Sequence, residues 1–173
     1  MKSEILLNQQ QISNRITQLG KEITTWAKSS DEKIAVIWLA EGAIIFTADL
    51  IREIDCDLTL VSARASSYGK NLKSSGTVKV EHDFSDMKGK RVLLVDDIFD
   101  TGLTLQTIVA KLRQANAVEV KTCVLLRKLD VETIAPKPDF VGFDIPNKFV
   151  FGYGLDAYES HRNLKDIHHI IEQ

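Results

Sequence analysis

The sequence predicts an α/β fold, a twisted parallel sheet flanked by helices, and three observations carry that expectation. Apolar runs at residues 34–40 and 92–95, the latter within a strand over 92–97, are continuous, as strands buried on both faces read. Each is followed by a segment of helical periodicity and then a further β-rich run, so β-loop-α-β order occurs twice, the pattern of parallel strands joined by right-handed crossovers. A chain of 173 residues with 44% hydrophobic and 27% charged residues suits one globular domain, 1–173.

Taken in order, residues 8–28 place Ile12, Ile16, Leu19, Ile23 and Trp26 at helical spacing, an amphipathic scaffold helix. After strand 34–40, Glu41-Gly42 is a turn, and 43–54 is a helix presenting Ile44, Phe46, Leu50 and Ile51. Strand 58–63 follows. The Ser/Gly-rich stretch of about 65–77 is too long for a passive connector and reads as a flexible lid. Residues 78–82 pair back as a short strand, 87–90 turn into the central strand 92–97, and helix 103–116 leads to strand 119–127. Two short strands at 140–145 and 149–153, split by Pro146-Asn147, form a small subdomain above the sheet.

Composition excludes several function classes. A net charge of −2 with interspersed signs gives no basic face for nucleic acid. No apolar run approaches a bilayer span, and the polar start lacks the apolar core of a secretion signal, so the cytoplasm is the expected location. Cys56 and Cys123 lack metal-ligand spacing and read as small reduced core residues.

The chemistry concentrates at residues 92–104, Val-Leu-Leu-Val-Asp-Asp-Ile-Phe-Asp-Thr-Gly-Leu-Thr. A buried strand ends in two carboxylates, and Asp100-Thr101-Gly102 opens a helix. In an open parallel sheet ligands settle at the carboxyl ends of strands, and a helix amino terminus there offers unpaired N–H groups to a phosphate. A phosphate is therefore expected at 100–104, with hydroxyls from Thr101 and Thr104 and close approach at Gly102. Carboxylates repel phosphate, so Asp96 and Asp97 suit sugar hydroxyls or a Mg²⁺ ion. Regular alternation would send their side chains to opposite faces, placing only one in the site. A bare helix cap by Asp100 or Thr101 accounts for those residues but not for the acid pair.

This stretch resembles the phosphoribosyl-pyrophosphate (PRPP) signature of the phosphoribosyltransferases, in which two acids and two variable residues precede Asp-Thr-Gly-x-Thr. Gly42-Ala-Ile-Ile-Phe-Thr-Ala-Asp-Leu, the Ser67-Tyr68 pair and the stretch from Lys137 to Asp156 resemble the hypoxanthine-guanine branch, so the likeness covers most of 38–164. It implies the Rossmann-like type I fold with a C-terminal hood at about 130–173. The implied activity is purine salvage, with the 5-phosphoribosyl group of PRPP transferred to N9 of hypoxanthine or guanine to give IMP or GMP and pyrophosphate.

By the same resemblance Asp100 is the catalytic acid/base. Asp96, Asp97, Thr101, Gly102, Leu103, Thr104, Gly42 and Arg162 bind PRPP, and Ser67 and Tyr68 belong to the lid. Lys128 donates to the purine 6-oxygen, Phe149 stacks on the ring, and Val150 and Asp156 hold the base edge. Mg²⁺ is the implied cofactor, at Asp96, Asp97 and Asp156, both acids of the pair being used. Relatives assemble as homodimers or homotetramers.

Two departures stand out. Relatives usually carry Lys where this chain has Glu41, and form a cis peptide there that this sequence leaves open. A carboxylate beside pyrophosphate is unfavourable, so Glu41 is expected to point away. The acid pair is Asp-Asp where relatives often have Glu-Asp. Competing readings are a xanthine-preferring or pyrimidine enzyme, or a PRPP- or nucleotide-sensing regulator that binds nucleic acid.

Overall fold

A computed structural model describes residues 2–67 and 78–172. In chain order the elements are β1 (Lys2–Leu7), α1 (Gln9–Ala27), β2 (Ile34–Ala40), α2 (Ile44–Glu53), β3 (Leu58–Ser67), β4 (Val78–Glu81), a 3-10 turn (Ser85–Met87), β5 (Arg91–Phe99), α3 (Leu103–Gln114), β6 (Glu119–Lys128), β7 (Phe140–Ile145), β8 (Val150–Phe151) and β9 (Ile167–Glu172). Six strands form the main sheet in the order β4-β3-β2-β5-β6-β7, parallel except where β4 pairs back on β3. A second sheet runs β1-β9-β8, antiparallel throughout.

The continuous apolar strands are continuous because both faces are covered. Along β2, Val36 packs into one core with Ile12, Ile16 and Leu19 of α1, while its neighbour Ile37 packs into the other with Ile108 and Leu112 of α3. Leu93 and Leu94 of β5 divide in the same way. Three layers result.

Helix α1 begins where a reciprocal cap holds it: Gln11 N–H donates to Asn8 Oδ1 and Asn8 N–H to Gln11 Oε1, both at 2.9 Å. Its stripe of Ile12, Ile16, Leu19 and Ile23 is fully buried, at roughly 1.5–3 kcal/mol per side chain, which makes α1 core rather than a loose cover. At the opposite end of the sheet from the β5 acids, buried Arg91 stacks over Trp26 and donates to the carbonyls of Trp26 and Ala27 and to Glu119.

Several boundaries differ from the sequence reading. Residues 2–7 form a strand paired with β9; its side chains are nearly all exposed, so no alternation announced it. The segment 140–145, expected above the main sheet, joins it as the edge strand beside β6. Its Val141 and Gly142 carbonyls accept from the Arg15 guanidinium at 2.7 and 2.9 Å, which occupies backbone acceptors of that edge. Strand 149–153 contracts to β8. β3 continues to Ser67 because β4 supplies a partner, and β5 runs two residues past its acid pair. Tyr68 and the lid positions 68–77 lie outside the described residues.

His169 is buried and paired with Glu4 at 2.7 Å, tying β9 to β1. Both cysteines are free thiols, and burial pushes that of Cys123 far up. Among the described residues no helix is long and apolar enough to cross a membrane.

Candidate active site

Strand order decides where a ligand can sit. From β2 the chain crosses through α2 to β3 on one side; from β5 it crosses through α3 to β6 on the other. Where neighbouring strands send their connections apart, their carboxyl ends leave an open crevice. That crevice lies between residues 40–42 and 96–104 and contains a hollow of about 290 Å³. Gly42, Asp96, Asp97, Asp100, Thr101, Gly102, Leu103 and Thr104 all line it.

Helix α3 enters this hollow without a side-chain cap. Its N-cap is Gly102 at φ 84°, a left-handed conformation suited to glycine, and a Cβ there would collide with Phe99 and Ala135. Neither Asp100 nor Thr101 is its N-cap, although Thr101 Oγ1 accepts from Leu103 N–H at a long 3.4 Å. First-turn N–H groups and the positive end of the helix dipole are thus available to an anion.

Asp96 and Asp97 both line the hollow, whatever strand alternation suggests. Asp97 N–H donates to Asp96 Oδ1 at 2.9 Å, and a Cβ on Gly42 would overlap Oδ2 of Asp97. The missing side chain at 42 is the space the second carboxylate occupies. Burial, then the neighbouring Asp97 charge, pushes the Asp96 carboxyl well above the usual range. Burial also raises Asp97, against the lowering effect of its hydrogen bonds and of the Arg162 guanidinium. The pair bears two negative charges at a cost, which hydroxyl donors or a cation would relieve.

Asp100 and Lys128 come from adjacent parallel strands. The β5–β6 register sets Phe99 opposite Arg127, so the next residues meet, and Lys128 Nζ donates to Asp100 Oδ2 at 2.9 Å. The lysine side chain is 15% exposed and the aspartate 45%, an acceptor and a donor side by side with the acceptor open to solvent.

A second hollow, about 400 Å³, adjoins the first through Ala40 and Ala65 and is walled by Glu41, Arg64, Glu81 and Arg162. Arg162 Nη1 donates to the Gly154 carbonyl at 2.7 Å, and its Nη2 meets Asp156 at 3.1 Å. The Ala40-Glu41 peptide is cis, answering the question the sequence left open. Glu41 does not point away: its carboxylate faces Arg64 and Arg162 at 3.5 and 3.8 Å.

The family described as "Phosphoribosyl transferase domain" matches residues 7–158. The chain belongs to the phosphoribosyltransferase family. It is 45% identical to a hypoxanthine-guanine phosphoribosyltransferase of Aquifex aeolicus over 96% of this chain and 94% of that one. Identity is 38% to the Bacillus subtilis protein of the same name, over 93% and 89%. Among solved structures, a hypoxanthine phosphoribosyltransferase from Staphylococcus aureus superposes with a TM-score of 0.88 at 33% identity, covering 95% of this chain and 89% of that one.

Within this phosphoribosyltransferase the sequence-designated residues fall into three groups. The acid pair, Gly42 and 100–104 share the first hollow, with Lys128 joined through Asp100. Arg162 lines the second and is paired with Asp156, which lines neither. Phe149 and Val150 line neither hollow: Phe149 is 53% exposed and near-parallel to Tyr158, centroids 6.5 Å apart, while the Val150 side chain is buried, leaving its backbone. Ser67 ends β3, and Tyr68 is outside the described residues. Among those residues Asp156 does not gather with Asp96 and Asp97 into a three-acid cluster. Sequence reasoning missed Arg64, whose signal was a basic residue directly after an apolar strand beside the crevice.

Proposed function

We propose that this phosphoribosyltransferase works in purine salvage, transferring the 5-phosphoribosyl group of PRPP to N9 of hypoxanthine or guanine and releasing pyrophosphate. The observation that carries the reading is the uncapped start of α3 beside a paired carboxylate ledge, with a two-arginine hollow next to it. These are three binding features for the three parts of PRPP. The 5-phosphate sits on the N–H groups and hydroxyls of 101–104, the ribose hydroxyls on Asp96 and Asp97, and the pyrophosphate beside Gly42, Arg64 and Arg162.

The donor–acceptor pair fits the acceptor base. A 6-oxopurine presents O6 and N7 on one edge. Lys128 Nζ donates to O6, and the Asp100 carboxylate takes the N7 proton as N9 bonds to the anomeric carbon and the carbon–oxygen bond breaks toward pyrophosphate. A 6-amino group would meet Lys128 donor to donor. Phe149, aromatic and exposed, stacks on the ring, worth about 1–3 kcal/mol per base in comparable sites. The Val150 backbone and Asp156 meet the opposite edge. Arg162 and Arg64 stabilise the charge that builds on the departing group.

The oxygen-only donors Asp96 and Asp97 fit Mg²⁺, which binds through one or two carboxylates plus substrate phosphates, and when bound it neutralises charge on pyrophosphate. Asp156, held by Arg162, contributes a further carboxylate near the second hollow. The reading extends to a hood over residues 130–173, a lid at 65–77 including Ser67 and Tyr68, a cytoplasmic location and a homodimer or homotetramer. The relatives are named for hypoxanthine and guanine, which does not favour the xanthine-preferring or nucleic-acid-sensing alternatives.

PRPP-dependent nucleotide formation, followed in parallel with hypoxanthine, guanine, xanthine, adenine and uracil, tests the proposal. Turnover is expected with hypoxanthine and guanine and near background with adenine and uracil. Dominant use of adenine or uracil would overturn the roles given to Lys128 and Asp100.

A further inference from the structure

The pyrophosphate hollow already contains an anion. Glu41 directs Oε1 to Arg64 and Oε2 to Arg162, the two guanidinium groups that a diphosphate entering there needs. The other carboxylate in the wall, Glu81, sits opposite Arg64 in the β3–β4 register and pairs with Lys79 at 3.0 Å, whereas Glu41 faces both arginines. Arg162 is fixed independently by Gly154 and Asp156 at 2.7 and 3.1 Å, and its contact to Glu41 is its longest, 3.8 Å.

We infer that Glu41 is a displaceable counter-anion, a positioning residue that holds the pyrophosphate hollow of the free enzyme and competes with diphosphate-bearing ligands for Arg64 and Arg162. Magnitudes decide for displacement over a fixed structural bridge. Glu41 is 62% exposed and Arg64 67%, and exposed ion pairs at such separations contribute little. A diphosphate presents several charged oxygens that can engage a guanidinium in bidentate fashion, so it outcompetes a single carboxylate. Glu41 then lowers affinity for PRPP and pyrophosphate, and by returning to the arginines after the chemical step it favours release of the leaving group. The sign distinguishes this role from a supporting one, because removing a competitor tightens binding and removing a support weakens it.

The inference rests on the reading that this hollow takes pyrophosphate, and the experiment separates the two. Binding of inorganic pyrophosphate in the presence of Mg²⁺ is measured calorimetrically on the full chain, its Glu41→Gln variant, and the Arg64→Gln and Arg162→Gln variants, with KM for PRPP and for hypoxanthine alongside. Glu41→Gln is expected to bind pyrophosphate about two- to five-fold tighter and to lower KM for PRPP similarly, with KM for hypoxanthine unmoved. Both arginine variants should bind pyrophosphate more weakly. Weakened binding in the arginine variants with unchanged or weaker binding in Glu41→Gln overturns the counter-anion alone. Undiminished binding in both arginine variants removes the hollow as the pyrophosphate site and the inference with it.

Discussion

Asp100→Asn should lower PRPP-dependent turnover of hypoxanthine by about 10²–10⁴-fold, the range that a positioned acid/base contributes. The amide keeps the shape of the carboxylate, and its oxygen can still accept from Lys128 Nζ, so the pair across the β5 and β6 ends survives in outline. What it loses is the proposed ability to take the N7 proton as N9 forms its new bond. Affinity for the nucleotide product should change by no more than about an order of magnitude, since at most one charge-assisted hydrogen bond is weakened. Single-turnover kinetics with calorimetry on the same preparation reads both quantities. Near-normal turnover would return Asp100 to the role of a loop residue.

A second large effect should appear with opposite signs in activity and stability. Asp96→Asn removes one of two carboxylates that burial holds above their ordinary range, Asp96 being pushed further by the Asp97 charge, while its side-chain oxygen can still accept from Asp97 N–H. An acid whose folded pKa is raised leaves the native state holding more protons than the unfolded chain between the unfolded and folded values. Native stability therefore falls as pH rises through that window and stays lower above it. The variant should match the parent near pH 4, and above the raised value gain roughly 1–2 kcal/mol, or a few degrees in Tm for a chain of this size. Turnover should drop by orders of magnitude, because the ribose and cation ledge is halved. Thermal melts across pH with parallel assays check both halves; lower stability at neutral pH would show that the repulsion is already relieved in the free protein.

Much of this site was legible in the sequence because its signals are local. A run of apolar residues, two acids and Asp-Thr-Gly-x-Thr encode strand, ledge and helix start within about a dozen positions, and the structure places them in one hollow. The two cores were legible for the same reason, since periodicity is a property of neighbours along the chain.

What the sequence hid is set by residues far apart. β1 is exposed along most of its length and exists because β9 pairs with it, so no alternation marks it. Segment 140–145 reads equally well as a subdomain strand or a sheet edge until Arg15, more than a hundred residues earlier, occupies its carbonyls. Alternation argued that only one of Asp96 and Asp97 reaches the crevice, but Gly42 opens room for the second from another strand. Glu41 was misjudged because repulsion from a ligand was weighed without Arg64 and Arg162, which attract its carboxylate when no ligand competes.

The proposed phosphate grip is the start of α3, and a crystal structure of the enzyme with a 6-oxopurine nucleoside monophosphate shows whether it holds. The phosphate should lie within hydrogen-bond distance of the backbone N–H groups and hydroxyls of residues 101–104, with the base edge at Lys128 and Asp100. A phosphate bound at Arg64 and Arg162 instead, with the first turn of α3 left to solvent, would contradict it.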